Sequence, residues 1–164
     1  MDAIKTFKVK NRRTLRFDSL GGIAAEVERL AKAREIKALG NWSPGQVFQH
    51  LSIVMNGAID GIHVKLPLAM RIIVPAVVLI LKSRILNKPM PAGFRLNADA
   101  AKVLVPPPTS VEDGLAAIRN GLHRLANETK REVHPFMGKL NNEEWDKLQC
   151  RHCEMHLSFL VPVE

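Results

Sequence analysis

The stretch "NWSPGQVFQHL", residues 41–51, decides how this chain folds. Ser43 can cap a helix, and Pro44 suits the first helical position, where its missing N–H is not needed. Gln46 then completes a Ser-x-x-Gln capping box. A helix that starts here and runs to about residue 62 sets Val47, Leu51, Val54, Ala58 and Ile62 along one side. At ~3.6 residues per turn, His50 lies about 40° from Val54, at the edge of that apolar face and one turn beyond Gln46.

Upstream, residues 19–38 read as a first helix with Ile23, Val27, Leu30 and Ala31 on one side, stopped by Gly40-Asn41. Residues 6–17 alternate loosely and suit a short strand or an extended arm. Downstream, "LPLAMRIIVPAVVLILKSRIL", residues 66–86, is uninterrupted in its apolar character only from Ile72 to Leu81, with Arg71 before and Lys82 after. A membrane span needs ~20 apolar residues, so 66–87 is expected to be a buried helix, kinked at Pro75. Residues 88–108, with "KPMPAG" and three successive prolines, form a long connection. Thr109 and Glu112 make a second capping-box pattern. Val111, Leu115, Ile118, Leu122 and Leu125 stripe a helix over about 110–130. After the loop "HPFMGKL", Asn141 caps a final helix whose first turn carries Glu143 and Glu144, suited to its dipole. The pattern predicts an all-α helical bundle, one domain over 1–164, with an apolar middle segment and a short extended N-terminal arm.

The final helix contains "RHCEMHLSFL", residues 151–160. His152 and His156 are four apart and differ by about 40° on the wheel, so their rings point the same way. Trp145, Leu148 and Phe159 share that face, and Glu154 points off it. If the helix beginning at Pro44 is a neighbour, His50 meets this pair. Three neutral imidazoles converging in a bundle make a divalent-metal site with a position left for water or substrate. Core histidines bonded to backbone or to each other would produce the same pattern. Glu154 does not stand where the base of a His-Glu-x-x-His zinc protease would, which removes that class.

Composition narrows the rest. The chain has 164 residues, 46% of them apolar, and a net charge of +8. Lys5, Lys8, Lys10, Arg12, Arg13 and Arg16 crowd the start against Asp2, a balance that attracts nucleic acid or anionic lipid. No helix-turn-helix spelling, RNA-binding aromatic motif or Tyr accompanies them, so nucleic acid is not the expected partner. The first residues lack the apolar core of a signal peptide. Cys150 and Cys153 fit a reduced cytoplasm, the expected location, and not a disulfide framework. Their Cys-x-x-Cys spelling sits inside a helix with no strand before it, so they read as ordinary helix cysteines. Gln46 either orients the His50 ring or a metal-bound water, or serves only the cap. His134, before Pro135, either lines the site entrance or fixes its loop. His63 and His123 read as surface residues.

The Trp42-Ser43-Pro44-x-Gln46 start with His50, then His134-Pro135, Gly138, Trp145, and His152 and His156 followed by Leu157, resemble the DinB-like (YfiT-like, bacillithiol-transferase-like) superfamily. The resemblance spans about residue 12 to the end, although 64–100 carries no shared motif. It implies an antiparallel four-helix bundle with a divalent metal, zinc or nickel, on His50, His152 and His156. Characterised relatives include thiol S-transferases and a mycothiol-dependent isomerase. The resemblance therefore implies a metal-dependent enzyme that uses a low-molecular-weight thiol on a small-molecule substrate, with a homodimer left open. The alternative is a non-enzymatic bundle that binds a small molecule or partner and whose histidines are structural.

Overall fold

Five helices begin at a Ser or Asn whose side-chain oxygen accepts the backbone N–H three residues on, which relieves one of the orphan donors of each first turn. The computed structural model describes residues 4–64, 68–94 and 96–163, with side chains at 68–76 and 79 outside the description. Asp2 lies outside the described residues, as do residues 66 and 67 of the apolar segment. The order is α1 (Leu20–Ala31), β1 (Glu35–Ala38), α2 (Pro44–Asp60), α3 (Leu68–Asn87), α4 (Ala98–Leu104), α5 (Val111–Asn127), α6 (Asn142–Leu157) and β2 (Leu160–Val163). The protein is thus mostly helical, with six α-helices and one two-stranded antiparallel sheet among the described residues.

The capping box at Ser43 forms as its spelling predicts, and Asn141 and Glu144 form another. At α5 the cap is Ser110, accepting from Asp113, one residue beyond the expected Thr109 pattern. The helix expected over 19–38 ends at Ala31, and Glu35–Ala38 pairs with Leu160–Val163 instead. Four residues are too few to display a strand period, and the partner lies at the far end of the chain. The strictly all-α expectation is corrected accordingly. The long connection also holds a short helix, α4, capped by Asn97.

Ile23, Val27 and Leu30 of α1, Phe48, Leu51 and Met55 of α2, Ile118 of α5 and Trp145 of α6 build a single core. α2 and α5 form its centre and run in the same direction. Their starts meet where Gly45 abuts Ser110 and Gly114, and their ends meet where Arg124 pairs with Asp60. Here the antiparallel expectation is corrected: the chain from α3 through α4 forms a long crossover that brings α5 back alongside α2. α6 runs opposite to α2, with Gln149 Nε2 donating to the Val54 carbonyl and His152 reaching His50.

α3 is not buried all round. Val77, Ile80 and Leu81 are exposed, while Leu86 enters the core. Its helical course continues through Pro75, and no helix among the described residues is long and apolar enough to cross a membrane.

The basic arm is largely fastened down. A single 3₁₀ turn at Thr6–Lys8 leads to an extended run. Arg13 binds Glu26 at 2.6 Å and the Leu157 carbonyl at 2.9 Å. Phe17 donates its N–H to Glu154 and accepts from Arg151 through its carbonyl. Glu154 does point off the histidine face, but into a buried ion pair with Arg151 at 2.7 Å and not into water. Arg12, Arg13 and Arg16 thus reach α6, Arg13 also α1, while Lys5, Lys8 and Lys10 are exposed, with Lys8 lying over the Phe7 ring.

Candidate metal centre

α2 and α6 bring His50, His152 and His156 together, with one ring nitrogen from each lying within 4.8 Å of the others. The ring centroids of the three pairs are 4.5 to 5.1 Å apart. His50 is buried, whereas His152 and His156 each keep part of their surface accessible. Such a cluster could bind a metal ion.

His50 is oriented by a contact that the sequence did not advertise. Its Nδ1 donates to the Leu104 carbonyl at 2.7 Å. Leu104 ends α4, and the last carbonyls of a helix have no partner within it. A carbonyl can only accept, so the proton of neutral His50 sits on Nδ1 and Nε2 presents a bare lone pair. Backbone carbonyls commonly fix metal-ligating histidines in this way.

His50 Nε2 stands 3.3 Å from His152 Nε2. Two nitrogens ~2.0–2.1 Å from a tetrahedral zinc would be roughly 3.3–3.4 Å apart, so this separation suits a shared ion. Without one, His152 must donate from Nε2 to His50, leaving Nδ1 bare. That Nδ1 is buried with no hydrogen-bond partner among the described residues. The donor set and its spacing fit a divalent ion.

Burial keeps these rings neutral. Desolvation lowers the pKa of His50 against the Leu104 hydrogen bond. It drives His152 well below the ordinary histidine range, helped by the charges that His50 and His134 would carry. His156 is also driven well below, first by burial, then by His152, His50 and Arg12. Neutral imidazoles are ligand-ready.

Trp42 is a site residue that sequence reasoning missed. Its ring stacks on His156 at 5.6 Å and 8°, and tilts against His50 at 4.7 Å. Its place immediately before the helix cap was the available signal. Gln46 is occupied elsewhere: its oxygen accepts from the Ser43 N–H and its amide donates to the Pro106 carbonyl at 3.3 Å. His134 Nδ1 accepts from the N–H groups of Phe136 and Met137, which closes its loop, and the ring rests 5.2 Å from that of Trp145. His63 and His123 are exposed. Cys150 and Cys153 are free and buried, with burial raising both thiols. An open groove of about 300 Å³ between α2 and α4 is lined by Leu104 but by none of the three histidines.

These histidines make the metal-free protein acid-sensitive. His50, His134, His152 and His156 all have folded pKa values below the unfolded ~6.5, that of His134 lowered to about 4 by burial. A depressed folded pKa gives stability that is complete above the unfolded value and lost as pH falls toward the folded one, by up to ~1.4 kcal/mol per pH unit for each histidine. Burial raises the Asp146 and Glu154 carboxyls, which acts in the opposite sense, two groups against four. The urea midpoint of metal-free protein should be level between about pH 7 and 8, below the range where unfolded thiols ionise, and fall steadily from about pH 6.5 to 5. A midpoint that rises on acidification would contradict neutral burial of these rings.

The family described as "Protein of unknown function (DUF1569)" matches residues 9–163. No curated protein and no solved structure matches the chain.

Proposed function

The chain belongs to the DUF1569 family, and from its histidine cluster we propose that it is a metal-dependent enzyme transferring a low-molecular-weight thiol to an electrophilic small molecule. His50, His152 and His156 hold the ion, zinc or nickel. The observation that carries this reading is the convergence of three neutral ring nitrogens at a partly accessible spot. The resemblance of "NWSPGQVFQH" and "RHCEMHL" to DinB-like proteins supports the reaction class.

A divalent ion there supplies a Lewis acid that favours the thiolate form of a thiol at neutral pH. The chain's own residues do the rest. Leu104 fixes the His50 tautomer, burial keeps three lone pairs unprotonated, and Trp42 walls one side of the cluster. In the transfer, the S–H proton leaves to solvent, the sulfur forms a bond to the electrophilic atom, and the displaced group departs with its electron pair.

A second reading rests on the His50–His152 contact, which joins two of the rings without any ion. In that case the histidines are structural and the bundle binds a small molecule or partner without chemistry. Cobalt-substituted protein separates the two. A thiol entering the first coordination shell should produce a sulfur-to-cobalt charge-transfer band, absent from the His50→Ala protein. If no small thiol changes the spectrum while acetate or water fills the position, thiol transfer is wrong and metal-assisted hydrolysis or plain binding replaces it.

A further inference from the structure

We propose that Arg12 receives the anionic end of the molecule that reaches the histidine cluster, so that the thiol taken by this protein carries a carboxylate. The proposal rests on the thiol-binding reading above and adds its substrate class.

Arg12 is held at the end of α6 beside His156. Its Nε and Nη2 donate to Ser158 Oγ at 3.0 and 2.7 Å, and Nη2 also donates to the Met155 carbonyl at 3.1 Å. The guanidinium carbon lies 4.0 Å from the centre of the Phe159 ring. Phe159 follows His156 by three residues, and its N–H bonds the His156 carbonyl, so the cation sits over the turn that carries this histidine.

Arg12 also lacks what its equivalents have. The other wholly or partly buried arginines among the described residues each have a carboxylate within 4.0 Å: Arg13 has Glu26, Arg124 has Asp60 and Glu128, Arg131 has Asp146, and Arg151 has Glu154. Arg12 is half-buried and has none, and its Nη1 has no hydrogen-bond partner among the described residues. A desolvated guanidinium ordinarily finds an acid, because an unpaired charge away from water is costly. Here one guanidinium nitrogen has no such partner, at the helix end that also carries His156. An anion with a sulfur at one end and a carboxylate at the other satisfies both, through a charge-assisted bond to Arg12.

The test uses the full chain loaded with cobalt, titrated with 3-mercaptopropionate and with its uncharged amide, 3-mercaptopropanamide. The sulfur-to-cobalt band reports binding of each. The acid should bind at least tenfold more tightly than the amide in wild type. In Arg12→Gln that preference should fall below twofold, through weaker acid binding, while cobalt content and amide affinity hold. Because Arg12 also clasps Ser158, Arg12→Gln could fold poorly, and the wild-type ratio decides by itself in that case. Equal affinities in wild type, or a preference that survives in Arg12→Gln, overturn the Arg12 assignment and leave the thiol reading standing. A band absent with both thiols overturns the thiol reading and this proposal with it.

Discussion

His50→Ala, His152→Ala and His156→Ala are each expected to reduce bound zinc or nickel from close to one ion per chain to a small fraction. The affinity loss should exceed about 100-fold, beyond the roughly 10–100-fold that loss of an outer-shell partner costs. Each variant leaves two ring nitrogens at a cluster where three now lie within 4.8 Å. Stabilisation by the ion should vanish in the same variants; it amounts to ~2.7 kcal/mol when free metal is at 100 times its Kd. His63→Ala and His123→Ala remove exposed rings and should leave metal content and stability unchanged. Dialysis against labelled or chromogenic metal solutions measures all five. Equal losses in the five variants, or none, would mean that the convergence of the three rings serves packing alone.

The second large effect is on the fold that holds them. In Gly45→Ala the new Cβ would lie 2.2 Å from the Ser110 carbonyl oxygen and 2.3 Å from that of Thr109. In Gly114→Ala it would lie 2.5 Å from the Gly45 oxygen and 2.9 Å from the Gly45 Cα. These are backbone atoms, which cannot rotate aside, so the starts of α2 and α5 must separate. Overpacking costs ~1–3 kcal/mol where side chains can yield, and ~3 kcal/mol or more is expected here. That corresponds to a melting temperature lower by about 6–12 °C. Gly121→Ala meets Met55 Cβ at 3.2 Å and its mobile Sδ at 3.3 Å, looser approaches than those at Gly45, and should cost less. Gly21→Ala meets only Ser19 Oγ at 3.6 Å and should be neutral or slightly stabilising. Melting curves of the four variants give the order directly. Gly45→Ala as stable as wild type would show that the two helix starts are not in contact.

The α2 start was legible because its cap is local chemistry: Ser43, Pro44 and Gln46 act within one turn. The cores of α1, α5 and α6 were legible from their apolar stripes, and so was the shared face of His152 and His156; their meeting with His50 depended on α2 and α6 being neighbours. What the sequence concealed depends on contacts between distant segments. The pairing of Glu35–Ala38 with Leu160–Val163 joins the two ends of a long chain and leaves no local period. The Leu104 carbonyl that orients His50 is backbone, and residue type does not announce it. Arg12 looked like one charge in a basic run, because its missing carboxylate is visible only against the packed end of α6. Gln46 shows the opposite case, where one residue satisfied both a capping and a site reading: its oxygen serves the cap and its amide donates to the Pro106 carbonyl.

The proposed function requires that this chain hold one divalent ion on His50, His152 and His156. The most direct measurement is the elemental content of wild-type protein purified without a metal-affinity tag, equilibrated with zinc or nickel at neutral pH and desalted. Close to one ion per chain is the predicted result, released on acidification below the ordinary histidine range, because burial keeps the rings neutral to lower pH and protonated imidazole cannot ligate. Protein that emerges from this treatment without metal would contradict the account.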